Sequence, residues 1–353
     1  MTRPYFRAYE HRLPPERPAL SPSRERAWQV LAGLTIGLGA TYLHWRWTAS
    51  LNPEVPVFSA IVALAETLAF VGTLLFFHDI WSEGDTPAAA PPATRSEAGL
   101  EGEGPVEVDL FVTTYDEATS VVLPSLAAAR SLRVPDGHVL RIWLLDDGDR
   151  PEMARLARHM AVGYLSRRDN LGFKAGNLAN ALFRTSGDFI VICDADTRVL
   201  PGMLENCMGY FRDPSVAWVQ TPHWFYDIPE GESWRAALHR RLGRTGAGLA
   251  PVAAFLTGGP MRGRDPFLSD PGLFFDVIQR RRNRNNASFC CGAGSIHRRE
   301  AVLGAALRQH AEDSRHAVTQ LFGGGPLRRV RGLLRRILRR NRAAPSLPGR
   351  LTM

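Results

Sequence analysis

Lysine is almost missing from this chain. Lys174 is the only one, although Lys and Arg together number 43 among 353 residues and the formal net charge is +8. The basicity is therefore arginine, gathered in the first fifty residues, around 280–284 and after 328. That distribution suits an anionic membrane surface as well as it suits nucleic acid. No motif with interleaved base-stacking aromatics accompanies it, so nucleic acid is not expected as a partner. The four cysteines, Cys193, Cys207, Cys290 and Cys291, have no C-x-x-C spacing. That pattern indicates neither a zinc site nor a disulfide framework, and it fits a reducing compartment. There is no G-x-G-x-x-G and no Walker lysine loop, which weighs against dinucleotide oxidoreductases and P-loop NTPases. No solenoid-length repeat is present.

What is present begins with two apolar segments, Ala27–Trp45 and Val55–Phe77. Each approaches the roughly 20 residues that a bilayer-spanning helix needs. Trp28, Trp45, Trp47 and Trp81 sit near their ends, where amphipathic aromatics favour the interface. Arg3, Arg7, Arg12, Arg17, Arg24 and Arg26 precede the first segment, and the connection holds only Arg46. Such asymmetry predicts a cytoplasmic amino terminus and a two-span anchor that returns the chain to the cytoplasm. Glu66 lies in the middle of the second segment and needs a partner there, for instance on a helix of another subunit. The expected organisation is a basic cytoplasmic terminus (1–26), two transmembrane helices (27–81), a flexible Pro/Gly/Ala-rich linker without packed elements (82–106), a catalytic domain (107–302) and an Arg-rich tail (303–353).

Within 107–302 the pattern alternates between strand and helix. Val108–Thr113 and Val139–Leu145 read as buried strands, Tyr164–Ser166 as a short third one, and Phe189–Cys193 as a fourth. Helical faces fall at 119–133, after Pro151, at 178–184 and after Pro201, and Val216–Val219 reads as a further strand. This alternation predicts an α/β fold with a mostly parallel, Rossmann-like sheet and helices on both faces. In such sheets ligands sit beyond the carboxyl ends of the strands. Those ends carry Thr114-Tyr115-Asp116-Glu117, Asp146-Asp147 and Asp194-Ala195-Asp196. Hydroxyls and paired carboxylates gathered there suit a nucleotide with a hard divalent cation, Mg²⁺ or Mn²⁺.

Six motifs in order carry a family resemblance. They are Val108–Val112 running into Thr114-Tyr115-Asp116-Glu117, Leu145-Asp146-Asp147-Gly148, Lys174-Ala175-Gly176-Asn177, Asp194-Ala195-Asp196, Gln220-Thr221-Pro222-His223 and Phe289-Cys290-Cys291-Gly292. Together they resemble the processive family 2 glycosyltransferases of GT-A fold, and among those the bacterial cellulose synthase catalytic subunits. The resemblance implies an inverting, metal-dependent transfer of glucose from UDP-glucose to a growing β-1,4-glucan, at the bacterial inner membrane and beside other synthase subunits. It places Thr114, Tyr115 and Glu117 around uracil and ribose, Asp146 or Asp147 on the uridine, and Lys174 on the diphosphate. Asp196 would ligate the metal, with Asp194 reaching ribose or metal. His223 and its aromatic neighbours, with Phe289, Cys290, Cys291 and Gly292, would meet the acceptor sugar.

Residues 228–285 are rich in Gly, Pro and Arg, with helical pieces at 233–242 and 272–281, and they read as an insertion relative to that family. Beyond about residue 303 the resemblance stops. Asp313, in Ala311-Glu312-Asp313, stands close to where the family keeps its general base. No Q-x-x-R-W follows, nor do later channel helices. Leu327 to Arg340 reads as an amphipathic basic helix, and the alternative is that everything beyond about 303 comes from an out-of-frame or truncated gene. Two alternatives therefore stand beside the glucan synthase: a truncated, membrane-anchored fragment that binds UDP and metal without polymerising, and a chitin- or hyaluronan-type synthase using another UDP-sugar.

Overall fold

The computed structural model describes residues 8–14, 21–84, 87–227, 231–257, 261–262 and 271–304. The chain divides into two units, 1–296 and 297–353. Asp313 and the Arg-rich tail lie outside the described residues, and the second unit is described only from the end of a strand into the start of a helix at 297–304.

The first unit opens with two long helices, α1 (Pro22–Ala49) and α2 (Pro56–Asp79). Both begin with proline in the first turn, where its missing N–H costs nothing. They pair closely because Gly39 has no Cβ: one added there would lie 2.3 Å from the Phe70 ring. The Trp28 and Phe77 rings meet edge-on at 5.3 Å at the other end of the hairpin. Among the described residues only α2 is long and apolar enough to cross a membrane, with a mean hydropathy of 2.1. The expectation of two spans is thus met by one helix. In α1, Gln29, Thr35, Thr41, His44 and Arg46 dilute the apolar run. The partner of Glu66 is also nearer than expected. Arg46 of α1 pairs with it at 2.9 Å and Tyr42 donates to it at 3.2 Å, so no second subunit is required.

The expected loose linker is corrected as well. Of its described residues, 82–84 and 87–106, the stretch 87–104 lies against the domain, with Ala98 and Pro92 buried. Arg212 donates to the carbonyls of Ala90 and Pro91 and pairs with Glu97 at 2.7 Å, and Arg95 pairs with Asp188 at 2.7 Å. Small Ala and Pro side chains leave the linker backbone accessible to these guanidinium groups, which composition alone does not reveal.

The catalytic domain runs β1 (Val106–Thr114), α3 (Thr119–Arg130), β2 (His138–Asp146), α4 (Pro151–His159), β3 (Gly163–Ser166), α5 (Phe173–Leu182), β4 (Phe189–Asp194), α6 (Met203–Cys207) and β5 (Trp218–Gln220). After these come β6 (Glu232–Ser233), α7 (Trp234–Gly248), α8 (Ala250–Thr257), β7 (Met261–Arg262), a π-helical turn (Leu273–Gln279), α9 (Arg280–Asn283) and β8 (Ser295–Arg298). The main sheet has the order β3-β2-β1-β4-β8-β5, and β1 pairs in parallel with both β2 and β4, as β2 does with β3. Side chains alternate across a strand, and the burial follows. Val108, Leu110 and Val112 of β1 join Val122 and Leu126 of α3, Met153 of α4 and Leu204 of α6 on one face. Phe111, Leu145 and Ile190 meet Ala181, Leu178 and Leu182 of α5 on the other. The result is the expected α/β domain with helices on both faces.

Candidate active site

Parallel register sets the geometry of the site. Thr114 at the end of β1 lies opposite Asp146 of β2, Asp146 lies opposite Ser166 of β3, and Thr113 lies opposite Asp194 of β4. Four strand ends therefore finish level, and their polar residues share one edge of the sheet.

Around β1 and β2 that edge is held by Arg150, on the first turn after β2. The Asp146 carboxylate is completely buried. It accepts from the Arg150 N–H at 2.6 Å, Arg150 Nε at 3.0 Å, the Gly148 N–H at 3.1 Å and the Tyr164 hydroxyl at 2.9 Å. Burial and the adjacent Asp146 carboxylate push the Tyr164 phenol far above its ordinary value. The same Arg150 reaches across to Thr114 Oγ1 and to the Glu117 carbonyl, both at 2.8 Å. Glu117 in turn accepts from Thr114 Oγ1 at 2.7 Å and from the Tyr115 N–H at 2.8 Å. Burial raises the Glu117 carboxyl, but hydrogen bonds from Thr114 and Tyr115, with the Arg150 charge, outweigh it and hold the group below its ordinary value. Beside this network a cleft of about 560 Å³ is lined by Tyr115, Asp116, Glu117, Ala118, Gly148, Arg150 and Met153 among others.

Asp147 is held on the other side of the turn. Its carboxylate forms a two-pronged ion pair with Arg167, whose Nη2 stands 2.9 Å from Oδ2. Arg167 also donates to the carbonyls of Leu171 (2.6 Å) and Phe173 (2.8 Å), which fixes the turn leading into α5. That turn differs from expectation. The helix begins at Phe173, so Lys174-Ala175-Gly176-Asn177 forms its first turns instead of a loop before it. Gly172, with φ of 75°, makes the reversal possible. Lys174 is consequently displayed at a helix N-terminus, a location that favours anions. Its ammonium pairs with Asp194, and both side chains are nearly half exposed. Asp196, two residues on, is exposed and makes no hydrogen bond or ion pair among the described residues.

Asp194 and Asp196 fit a divalent cation of the Mg²⁺ type. Such ions take one or two protein carboxylates and complete their shell with water and substrate phosphate. Among the described residues no group of three or more His, Cys, Asp or Glu forms a closed protein cage. Near Asp196, Arg198 stacks over the Tyr226 ring at 5.0 Å and pairs with Glu10 at 3.0 Å, while Arg12 donates to the Tyr226 carbonyl at 3.1 Å. The amino-terminal segment thus reaches the aromatic cluster beside the carboxylate pair.

The Gln220–His223 and Phe289–Gly292 motifs meet directly. Gln220 accepts from the Cys291 N–H at 2.8 Å and donates to the Ala293 carbonyl at 2.9 Å. His223 Nε2 lies 2.7 Å from the same carbonyl, and its ring lies 4.6 Å from that of Phe275. Thr221 Oγ1 donates to the Gly294 carbonyl at 2.6 Å. Sequence reasoning did not single out Arg150, Arg167 or Gln279. The four-residue step from Asp146 to Arg150 was a readable signal for the first; the other two act across long separations.

Residues 109–303 match the family described as Glycosyl transferase family 2. The chain belongs to that family. The UDP-forming cellulose synthase catalytic subunit of Pseudomonas fluorescens (strain SBW25) is 31% identical over 304 residues, covering 82% of this chain and 36% of that protein. Its namesake from Xanthomonas axonopodis pv. citri (strain 306) is 28% identical over 298 residues, with the same coverages of 82% and 36%. This family 2 chain therefore spans about a third of the length of these relatives. Among solved structures, the mannosyltransferase PcManGT from Pyrobaculum calidifontis in complex with GDP-Man and Mn²⁺ aligns at a TM-score of 0.36 and 21% identity, over 58% of this chain and 65% of that one.

Proposed function

We propose that the chain is an inner-membrane glycosyltransferase that moves glucose from UDP-glucose onto a β-1,4-glucan acceptor with inversion. The observation that carries this reading is the level register of Thr114, Asp146 and Asp194 on three adjacent parallel strands, with Lys174 at the helix N-terminus beside them. Thr114, Tyr115 and Glu117 take the nucleoside in the cleft below Gly148. Asp146, whose acceptor sites are already filled, shapes that pocket through Arg150, and Asp147, paired with Arg167, keeps lone pairs for the uridine. Lys174 leaves Asp194 for the diphosphate and balances charge on the departing UDP. Asp194 and Asp196 would hold Mg²⁺ or Mn²⁺, which supplies further neutralisation of the diphosphate. His223, Phe289, Cys290, Cys291 and Gly292 form the acceptor side. The resemblance offers Asp313, outside the described residues, as the general base for the attacking hydroxyl. The α1–α2 hairpin anchors the enzyme with the domain on the cytoplasmic side.

The test is a titration of the membrane-extracted protein with UDP and Mn²⁺, followed by UDP release from UDP-glucose. Saturable metal-dependent binding with turnover is expected. Binding without turnover supports the non-polymerising alternative, and no binding refutes both. Competition among UDP-sugars separates glucan from chitin- or hyaluronan-type synthesis. Asp196→Ala is expected to abolish the metal dependence of UDP binding, and unchanged affinity would overturn the metal assignment.

A further inference from the structure

The loop Phe289–Gly294 lacks regular strand pairing over Phe289–Ala293, yet side chains fasten the backbone of Phe289, Cys291, Gly292 and Ala293. Two side-chain amides do most of this. From the sheet side, Gln220 takes the Cys291 N–H and the Ala293 carbonyl at 2.8 and 2.9 Å. From the opposite side comes Gln279, which is 7% exposed. Its Nε2 donates to the Phe289 carbonyl at 2.8 Å and to Cys291 Sγ at 3.2 Å, and its Oε1 accepts from the Phe289 N–H at 3.3 Å. One amide therefore satisfies both backbone groups of Phe289, as a neighbouring strand would. Ser288 closes the turn by donating to the Gln279 carbonyl. The two thiols point apart accordingly, Cys290 towards Gln220 Oε1 at 3.7 Å and Cys291 towards Gln279.

The position of Gln279 is itself fixed from outside the loop. It ends a π-helical turn, a rare geometry found frequently at functional sites. The arginines of α9 that follow are tied to the base of the hairpin. Arg281 pairs with Glu25 at 2.6 Å and donates to the Ile80 carbonyl at 3.0 Å, Arg280 pairs with Glu83, and Arg282 stands 3.7 Å from Asp79. Arg282 also lies 5.4 Å from the Phe289 ring centre. Both Arg280 and Arg281 are mostly buried, so these pairs are less screened than surface ones.

We propose that Gln279 is a positioning residue for the acceptor loop, and that the ion pairs of α9 with Glu25, Asp79 and Glu83 make the hairpin base the fixed point from which it works. Describing residues 289–294 as the acceptor loop rests on the function proposed above. The positioning itself can be read without turnover, from the thiols.

In the full-length protein, a maleimide should label Cys290 and Cys291 slowly and leave Cys193 and Cys207 untouched. Burial pushes those two thiols up to about 12 and about 11. Gln279→Ala is expected to speed Cys291 labelling by about tenfold, the scale of losing a net hydrogen bond or two. Gln279→Glu keeps the size but sets an oxygen against the Phe289 carbonyl, and it should act in the same direction. Glu25→Gln with Glu83→Gln should give a smaller acceleration without touching the loop. Equal labelling rates in wild type and Gln279→Ala would overturn the proposal. So would the appearance of Cys193 and Cys207 labelling, which would make Gln279 a general stability residue. UDP–Mn²⁺ affinity should not move in any of these variants, and its loss would also count against a role confined to the acceptor side. Wild-type turnover of UDP-glucose tests the function reading separately.

Discussion

Asp146→Asn should unfold the donor edge, and its cost can be worked from the structure. The wild-type carboxylate is fully buried and accepts four hydrogen bonds, from Gly148 N–H, Arg150 N–H, Arg150 Nε and the Tyr164 hydroxyl. Asparagine keeps the shape but turns one oxygen into an NH₂ group, which must face at least one donor. It also leaves the Arg150 charge, only 17% exposed, without its counter-ion. Removing one member of a buried pair costs roughly 3–5 kcal/mol. For a domain of this size that lowers the unfolding temperature by roughly 10 °C. The loss spreads because Arg150 also holds Thr114 Oγ1 and the Glu117 carbonyl. Thermal unfolding of the detergent-extracted protein, followed by UDP titration, is the assay. The double change Asp146→Asn with Arg150→Met removes the orphaned charge, so it should lose less than the two single losses added, by about 2 kcal/mol. A loss below about 1 kcal/mol for Asp146→Asn, or strict additivity in the pair, would refute the argument. Weaker UDP binding at unchanged stability would instead make Asp146 purely a ligand contact.

Lys174→Met is expected to change stability by less than about 0.5 kcal/mol, because its pair with Asp194 is nearly half exposed, but to weaken UDP binding at least about tenfold. Equilibrium unfolding and calorimetry on the same preparation check both halves. Glu117 gives a pH dependence. Its folded-state carboxyl is held below the ordinary 4.5, so its contribution is complete above that value and is lost as pH falls through the depressed one. Glu117→Gln should flatten that part of the acid limb in a pH series of unfolding temperatures. Arg46→Met leaves Glu66 with only the Tyr42 hydroxyl, on the one helix among the described residues apolar enough to span a membrane, and membrane insertion should become less favourable by roughly 2–3 kcal/mol. A glycosylation-mapping assay of the α1–α2 hairpin reads this directly, and unchanged insertion would show that Glu66 needs no internal partner.

The alternation of strands with helices from β1 to β4 and the polar strand ends were legible because they rest on local signals. Apolar runs such as Phe189–Cys193 stop at carboxylates, and a parallel sheet brings such stops to one edge. The number of membrane spans was less legible, since Ala27–Trp45 is apolar by length but diluted by its Gln, Thr and His residues. The linker was misread for a different reason. Low-complexity composition predicts weak self-association, yet 87–104 is ordered by partners elsewhere, namely Arg212 and Asp188. Gln279 was invisible for the same reason. Nothing in its neighbourhood marks it until the loop ten residues later folds back onto it.

The scarcity of lysine acquires a physical meaning at this site. Of the carboxylates at or just past the strand ends, Asp146, Asp147 and Asp194 each stand in an ion pair with a cationic side chain. Asp146 and Asp147 are buried and taken by Arg150 and Arg167, whose planar forks also bind neighbouring carbonyls and so lock the turns. Asp194 alone is paired with a lysine, a compact charge on a flexible stem, and that pair is exposed to solvent on both sides. A ligand that must displace a protein cation from a carboxylate can do so only at the exposed pair, because the buried ones would leave an uncompensated charge. On the proposed function, arginine therefore builds the pocket and the single lysine is the part that exchanges. Replacing Lys174 by Arg tests this. The charge is kept, but a guanidinium could bind Asp194 in two-pronged fashion and release it less readily. Weaker UDP–Mn²⁺ binding in Lys174→Arg, with stability equal to or above wild type, is the expected result. Wild-type affinity in that variant would show that charge alone suffices and that the exchange argument is wrong.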